Sequence, residues 1–456
     1  MHTSPEIDPF RSNRLSHPEG LTSLHITEGH QPGRLPVQEE YPTGSDQNEK
    51  PSHNSKNSFR VISACLMSFG NGINDSTPGA LIPYIEKDYN IKYAIVSMVF
   101  VANAVGFLLA APMIHAMEAK IGHAKSYLLA MSSFAVGYAI IIPAPPFAVV
   151  AITFLLCGFG LAVNLALSNA FCGSLPNATV SLGYLHGAYG ISGTIAPIVA
   201  TSMASNGIEW SIFYAIPMSV AVINMALSSW AFAHYSNVSS QPAPSSSPIT
   251  SGSQTQVFKN AIQNRTTLLG ALFIFVYQGA EVSVSGWIVS FLTSYRHGDL
   301  SRVGYVSAGF WGGITVGRLC LSYPSSRLGE KVSAILMVLG AIALQVLIWL
   351  IPNLIANCVM VAFLGVSLGA VYPCAVAVFT KLLPAYLHVP SLSLITALGS
   401  SGGAALPFLV GILSQQFGTV VLHPVCVASY GIMVIAWILL PRVQRSPKGS
   451  SGEIRT

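Results

Sequence analysis

The stretch GNGINDSTPGALIPY, residues 70–84, places an acid, Asp75, inside an apolar segment that is long enough to cross a membrane. A charged side chain at the centre of a bilayer costs about 2.5–3.5 kcal/mol or more on insertion scales, so it persists where it faces a watery cavity or a partner. The stretch therefore predicts a membrane helix that lines a polar interior.

The composition of the whole chain is that of an integral membrane protein. Of its 456 residues, 52% are hydrophobic and 9% are charged, whereas soluble domains carry about 25% charged residues. The net charge of +5 does not indicate nucleic-acid binding. The sequence contains no Walker loop, no Gly-x-Ser-x-Gly motif and no metal-ligand spacing. We therefore predict a protein that is not an enzyme and that has no cofactor and no metal site.

Twelve apolar segments have the length of about 20 residues that a membrane helix requires. A Ser/Pro-rich linker at 236–265 separates six of them from the other six. The chain is thus predicted to consist of a disordered cytosolic tail at 1–59, a six-helix half at 60–235, the linker, a second half at 266–441 and a tail at 442–456. The predicted spans are 60–85, 94–117, 125–143, 147–172, 180–205, 210–234, 266–294, 303–323, 331–351, 354–380, 389–416 and 422–441.

The basic residues indicate the orientation of these helices. If the N-terminus is cytosolic, only Lys87, Lys92, Arg296 and Arg302 of the 22 Lys and Arg residues fall on the opposite side. Membrane proteins carry such an excess of basic residues in their cytosolic segments. We predict that both termini and the linker are cytosolic, that the protein is a monomer in the lipid bilayer, and that this bilayer is the plasma membrane, with the vacuolar membrane as the alternative.

The two halves match each other at an offset near 207 residues. AKIGHAKS at 119–126 aligns with SRLGEKVS at 326–333, and the other matches fall in nearly the same register. Parallel repeats of this kind are related by an axis along the membrane normal in transporters whose substrate site lies between the halves. The offset pairs Gly72 with Gly279, Gly122 with Gly329, and Gly158 with Gly365.

Five segments carry a resemblance to a known family. They are NDSTPGALIPY in the first helix, LHGAYGISGTIAP in the fifth, YQGAEVSVSGWIVSFL in the seventh, GVSLGAVYPCAVAVFTKLLP in the tenth and GSSGGAALPFLVGILSQQFG in the eleventh. Over residues 60–441 the chain resembles the major facilitator superfamily, and within it the fucose-permease-like branch of proton-coupled sugar permeases and its fungal bypass-of-stop-codon-type members. This resemblance implies an all-α membrane protein with twelve transmembrane helices in two six-helix repeats.

The resemblance also bears on individual residues. Members of the branch carry an acid after an Asn in helix 1, as Asp75 follows Asn74. Their helix 4 acid is missing here, because GFGLAVNLALSNAF has Val163 and Asn164 at that place, which argues against a relay of two carboxylates of the bacterial type. The segment GGITVGRLCLSYPSSRLGEK resembles the superfamily's cytosolic loop signature. This likeness implies that Arg318 and Arg327 bond helix ends across the cytosolic gate.

Two acids at matching depth are the main functional candidates. At the offset of 207, Glu281 corresponds to Asn74, so Asp75 and Glu281 are near-equivalents displaced by one residue. A low dielectric disfavours the charged form of a carboxyl group, which lets such a group take up and release a proton. As an alternative, Asp75 belongs to a polar break in the helix and only bonds to neighbouring amides. For His186 and Trp287, the alternative is a role in core packing. The predicted cavity residues are Asp75, Glu281, Asn74, Asn164, His186, Tyr189, Gln278 and Trp287.

These observations predict a secondary transporter that works by alternating access. The expected activity is proton symport of a small polar solute such as a hexose, with Asp75 or Glu281 carrying the proton. One alternative is a proton antiporter that exports a fungal metabolite. Another is a sensor that binds a nutrient without transporting it, although tails of 59 and about 15 residues without a folded-domain pattern make this less expected.

Overall fold

The computed structural model of the chain describes residues 51–175, 177–233, 235, 256 and 259–441. Apart from residues 51–59, the predicted tails lie outside this part of the chain, and so does most of the predicted linker.

The described residues fold into twelve long helices, and no β-strand occurs among them. Helices α2 and α3 share the run Met98–Ile141, and Gly122 separates them into 98–121 and 123–141 because its φ of 81° is not helical. Helix α10 consists of Leu354–Gly369 and Val371–Leu382. The other long helices are α1 Pro51–Tyr89, α4 Phe147–Gly173, α5 Ala178–Ser205, α6 Ala215–Ala231, α7 Arg265–Ser294, α8 Val306–Leu328, α9 Glu330–Leu350, α11 His388–Phe417 and α12 Leu422–Leu439.

Short helical segments complete the connections between the long helices. Two of them, Tyr93–Val96 and Leu300–Val303, immediately precede α2 and α8. Single 3₁₀ turns lead into α6, α11 and α12, at Trp210–Tyr214, Ala385–Leu387 and Thr419–Val421.

Each of the twelve predicted spans coincides over most of its length with one long helix, which confirms the all-α prediction. Within the described residues, nine helical segments are long and apolar enough to cross a membrane. Helices α1, α5 and α8 are not among them, because polar residues and glycines interrupt their apolar character. These three helices carry Asp75, Tyr189 and Arg318. The helices that are least suited to lipid therefore supply three residues of the polar interior.

The backbone confirms the predicted internal repeat. Gly122 and Gly329, which the offset of 207 pairs, both turn the chain between consecutive helices with positive φ angles of 81° and 98°. Side chains other than glycine rarely adopt such angles. The turn between α2 and α3 is thus repeated between α8 and α9.

Helix contacts repeat with the same register. A side chain at Gly158 would collide with the carbonyl oxygen of Asn103, and one at Gly365 would collide with that of Phe310. Gly365 and Phe310 lie 207 positions after Gly158 and Asn103, respectively. Helix α4 therefore packs on α2 in the same way as α10 packs on α8. A second pair of contacts obeys the same offset: Gly106 lies against the Leu155 carbonyl and Gly313 against the Ala362 carbonyl.

We call the end of the bundle where α1 begins the near end, and the opposite end the far end. The two halves meet at the far end. There α1 lies against α7 so closely that a side chain at Gly79 would collide with the carbonyl of Ser285. Further contacts between the halves at the far end join Phe100 to Gly286, Ser97 to Gly411, and Thr201 to Gly304.

Toward the near end the halves separate. Residues 183, 187, 190 and 194 share one face of α5, because they are three or four positions apart. Gly190 packs on Thr315 of α8, but a side chain at Gly187 or Gly183 would meet no atom within 4 Å. The contact between α5 and α8 therefore stops near the middle of the bundle, and the interior opens at the near end.

The close approach at Gly79 can be tested by adding a single carbon atom. We expect Gly79→Ala to lower the stability by about 1–3 kcal/mol, because overpacking forces the two helices apart. Gly187→Ala adds the same atom in open space and removes a helical glycine, so it should be neutral or stabilising. Thermal unfolding in detergent measures both variants. Equal unfolding midpoints for the two variants would contradict the far-end contact.

Candidate functional site

Asp75 lies at a local irregularity of α1. The next two residues, Ser76 and Thr77, donate their hydroxyl protons to the carbonyls four residues earlier, at 2.8 and 2.6 Å. Pro78 has no backbone N–H, so the helix cannot form its usual bond to the carbonyl of Asn74. Both hydroxyl protons are thus donated to backbone carbonyls of α1 and not to the carboxyl group of Asp75.

Two neutral donors hold the carboxyl group of Asp75. The hydroxyl of Tyr189 on α5 donates to Oδ2 at 2.8 Å, and the amide nitrogen of Asn74 donates to Oδ1 at 3.2 Å. The ion pairs within 4.0 Å among the described residues do not include Asp75. Its surroundings thus supply hydrogen bonds but no opposite charge at close range.

Glu281 has a cationic partner. The Nη2 atom of Arg318 on α8 lies 3.6 Å from Oε1 of Glu281 on α7, and the two side chains are 27% and 9% exposed. The hydroxyl of Tyr277, one turn before Glu281, adjoins both groups and donates to the carbonyl of Leu368 at 3.2 Å. Glu281 and Arg318 therefore form a mostly buried pair with a phenol beside it.

These groups form one electrostatic unit, which we call the central cluster: Asp75, Tyr189, Tyr277, Glu281 and Arg318. The carboxylates of Asp75 and Glu281 are close enough to repel each other, and Tyr189 interacts with both acids and with Arg318. Asp75 and Tyr189 come from the first half, and the other three residues come from the second half. The cluster therefore spans the boundary between the halves.

Solvent reaches the central cluster from the near end. Asp75, Tyr189 and Arg318 are partly exposed, although they lie between the halves. His186, one turn before Tyr189 and closer to the near end, is exposed and interacts with Arg318. The cluster thus lies at the bottom of the opening that begins where α5 and α8 separate.

The remaining sequence candidates lie at or beyond the edge of this cluster. Gln278 is partly exposed beside Gly399, and its buried Oε1 atom accepts no hydrogen bond from any described residue. Asn164 is buried and donates to Asn71 at 3.4 Å. Trp287 is fully buried, and its indole donates to the Pro407 carbonyl at 2.9 Å. Arg327 lies over the Tyr323 ring at 4.9 Å near the end of α8, whereas Arg318 lies in the cluster.

Three aromatic residues of the site were not among the sequence candidates. Tyr277 and Trp311 lie four and seven positions before Glu281 and Arg318, which puts each on the same helix face as its charged neighbour. That spacing could have indicated them. Trp311 donates to the Ser285 hydroxyl at 2.8 Å, and its ring is 5.9 Å from that of Tyr189. Tyr138 donates to Asn74 at 3.3 Å from α3, a contact that only the fold reveals.

Comparison with known proteins supports the family resemblance. The sequence model described as Major Facilitator Superfamily matches residues 64–407. The chain is 29% identical to "Bypass of stop codon protein 6" of Saccharomyces cerevisiae over 84% of this chain and 82% of the yeast protein. It is 21% identical to "Glucose/mannose transporter GlcP" of Bacillus subtilis, over 75% of this chain and 84% of that protein.

Solved transporter structures have the same fold. The nucleoside transporter NupG superposes with a TM-score of 0.67 and 13% identity, over 83% of this chain and 98% of that one. The Escherichia coli fucose:proton symporter FucP gives a TM-score of 0.59 and 14% identity, over 84% of this chain and 98% of that one. Both comparisons agree with twelve transmembrane helices in two repeats.

The pairing of Glu281 with Arg318 predicts non-additive mutations. We expect Glu281→Gln and Arg318→Gln each to destabilise the protein, since each leaves a mostly buried charge without its partner. The loss of unfolding free energy in the double variant should be smaller, by about 1–3 kcal/mol, than the sum of the losses in the two single variants. Unfolding in detergent at neutral pH measures this coupling.

The contact between Lys381 and Glu330 provides the matched control. Their charged atoms are 2.6 Å apart, but the side chains are 50% and 22% exposed, so the same cycle should give a coupling below about 1 kcal/mol. A coupling for Glu281 and Arg318 that does not exceed the control value would show that they do not act as a pair.

Proposed function

Because this chain belongs to the major facilitator superfamily, a family of transporters and not of enzymes, we propose that it moves a sugar-like solute together with a proton by alternating access. The observation that carries this proposal is the central cluster. It holds two carboxyl groups and one guanidinium group at the boundary between the two halves, whose contacts described above run from the far end to the middle of the bundle.

The charges of the cluster do not balance when both acids are ionised. Asp75 and Glu281 then contribute one negative charge each, and Arg318 contributes one positive charge. An excess charge in a low-dielectric interior is costly unless water or a proton compensates for it. One bound proton makes the cluster neutral, so the uptake of a proton is the simplest way to prepare it for closure.

We assign the proton to Asp75 and a structural charge to Glu281. Arg318 lies beside Glu281 and stabilises its ionised form, whereas neutral groups, Tyr189 and Asn74, surround Asp75. A hydroxyl and an amide can also bond a protonated acid after a change of orientation. Asp75 therefore tolerates both protonation states, which a proton carrier requires.

Coupling follows from the position of the cluster. A ligand shifts an equilibrium between two conformations only by binding one of them better than the other. A proton on Asp75 favours any state in which the cluster is less hydrated, and such a state arises when the halves close at the near end. Bound solute that displaces water from the same space favours that state as well, so proton and solute support each other.

The chemical class of the solute is proposed from the side chains around the cluster and from the names of the related transporters. Gln278 offers a carbonyl oxygen to which none of the described residues donates, and Tyr189 and Trp311 offer aromatic rings. The names of the compared transporters mention glucose, mannose, fucose and nucleosides. A ring with several hydroxyl groups is common to all of these compounds. Such a ring also provides the donors that Gln278 accepts.

The orientation of the protein belongs to the proposal. Basic residues favour cytosolic termini, which places the near end, where α1 begins, in the cytosol. The structure then corresponds to a state that is open to the cytosol and closed to the outside. We propose that the protein resides in the plasma membrane and imports its solute with the proton gradient.

Removal of the proposed proton carrier should abolish accumulation. In vesicles with an imposed pH gradient, we expect Asp75→Asn to lose at least about 90% of gradient-driven uptake of D-glucose and of other sugars that the wild type takes up. Exchange of labelled for unlabelled sugar at equal pH should persist in Asp75→Asn, because exchange needs no net proton movement. Glu281→Gln should impair both processes, since it leaves Arg318 without its partner.

Asp299→Asn is the control for this experiment. Asp299 is an exposed carboxylate that caps a short helix outside the cluster, and Asn is an equally good cap. This variant should transport as the wild type does. If Asp75→Asn retains uptake with an unchanged dependence on the pH gradient, proton coupling through Asp75 is refuted.

The proposed orientation predicts which side of the membrane reaches His186. In a background with Cys320→Ser, which removes an exposed thiol, His186→Cys should react with a membrane-impermeant maleimide added from the cytosolic side. Thr201→Cys, which is buried at the far end, should react from neither side in this state. Labelling of His186→Cys from the outside alone would reverse the orientation.

A further inference from the structure

Asn74 connects Asp75 to a tyrosine that does not touch it. The amide nitrogen of Asn74 faces Oδ1 of Asp75 at 3.2 Å and the side-chain oxygen of Asn103 at 3.4 Å. Its amide oxygen accepts a hydrogen bond from the hydroxyl of Tyr138 at 3.3 Å. Asn74 and Tyr138 are both buried, so this arrangement is held away from bulk water.

In the observed orientation, the oxygen end of the Asn74 amide accepts the proton of Tyr138 and the nitrogen end faces the oxygen of Asn103. An Asn side chain can rotate by 180° and exchange its donor and acceptor ends. In the observed orientation the donor end points to Asp75, and this favours the ionised carboxylate. The reversed orientation would turn an acceptor toward Asp75, which favours the protonated acid, and would turn a donor toward the hydroxyl of Tyr138. The hydroxyl of Tyr138 could accept from that donor, but its own buried proton would then lose its acceptor. The side-chain oxygen of Asn103 would also face the amide oxygen of Asn74. The phenol proton and Asn103 together therefore favour the observed orientation.

We propose that Tyr138 is a positioning residue for proton transfer: by holding the amide of Asn74, it sets the pH at which Asp75 takes up its proton. The inference rests on the proposed function, in which Asp75 carries the proton. Among the described hydrogen bonds, Tyr138 has one to Asn74 and none to Asp75, so in this proposal it acts through Asn74. Without its hydroxyl, Asp75 should bind the proton at a higher pH, because the ionised form loses part of its support.

Other titratable groups face Asp75 and Tyr138, and the test must separate them. Tyr189 on α5 bonds Asp75 directly, Glu281 on α7 repels it, and Arg318 lies beyond Glu281. Near Tyr138 lie Tyr214, before α6, and Cys157 on α4. The Tyr214 ring stacks on that of Tyr138 at 5.7 Å, but its buried hydroxyl has no hydrogen-bond partner among the described residues.

Tyr214→Phe is consequently a matched control for Tyr138→Phe. Both substitutions remove one buried phenol oxygen from neighbouring rings of the same half. Only Tyr138→Phe removes a hydrogen bond to Asn74. A general effect of lost packing or polarity would appear in both variants, whereas the proposed effect appears only in Tyr138→Phe.

The experiment reads the protonation of Asp75 without needing the solute. Infrared difference spectra of the reconstituted protein, recorded against pH, follow the carbonyl band of a protonated carboxyl group. The band of Asp75 is the one that Asp75→Asn removes. We expect its midpoint to rise by about 0.5–1 pH unit in Tyr138→Phe, which corresponds to one ordinary hydrogen bond, and to be unchanged in Tyr214→Phe.

The outcomes separate this inference from the proposed function. If Asp75→Asn removes the band but Tyr138→Phe leaves its midpoint unchanged, the role of Tyr138 is refuted and Asp75 remains the proton carrier. Equal shifts in Tyr138→Phe and Tyr214→Phe also refute it. If Asp75→Asn removes no pH-dependent band, the proposed proton carrier is itself wrong.

A second variant keeps the test decisive if Tyr138→Phe does not fold. Asn74→Ala removes the amide donor directly, and we expect it to raise the midpoint by at least as much as Tyr138→Phe. An unchanged midpoint in Asn74→Ala would show that the amide does not influence Asp75, and the inference would fail.

Discussion

The central cluster contains two carboxyl groups and one guanidinium group, and the surrounding architecture accommodates that imbalance. Buried ionised groups are tolerated when they are paired or hydrated. Arg318 pairs with Glu281, and Asp75 receives hydrogen bonds from Tyr189 and Asn74. The helices that supply Asp75, Tyr189 and Arg318 are more polar than the nine segments of the described residues that are apolar enough to cross a membrane. Packing among those nine segments lets the polar helices be tolerated in the bundle.

The scaffold is symmetric, but its charges are not. Contacts between glycines and carbonyl groups recur at an offset of 207 residues, and so do the turns at Gly122 and Gly329. At the same offset, however, Arg318 corresponds to Ala111, so the first half lacks the base. The repeat thus supplies two similar halves. In the proposed mechanism, the departures from the repeat supply the chemistry, since a proton carrier needs an acid that is not neutralised by a fixed cation.

The sequence predicted the fold in detail because its signals are local. Apolar segments, turn residues and the repeat offset gave all twelve helices, and the family resemblance agrees with the comparisons. The sequence also indicated Asp75, Glu281 and Tyr189 as neighbours of one cavity. It did not indicate that Arg318 lies beside Glu281, because that contact depends on how α8 is rotated relative to α7. Successive residues of a helix point in directions about 100° apart, so a small change in the rotation of α8 would give Arg318 a different neighbour. The spacing of residues along the chain does not specify that rotation.

The contact between α5 and α8 connects the central cluster to the boundary of the halves. Tyr189 donates its hydroxyl to Asp75, and its ring packs against Trp311 of the other half. Below this contact the two helices separate, and above it they remain packed up to Thr201 and Gly304. In the proposed mechanism, a change in the charge of Asp75 alters the hydrogen bond of the residue at which the halves begin to part. Packed interfaces switch between discrete arrangements and do not deform gradually, so a change at one hydrogen bond can bias the whole boundary. The proposed proton site and the point at which the halves begin to part therefore need no long pathway between them, since Tyr189 belongs to both.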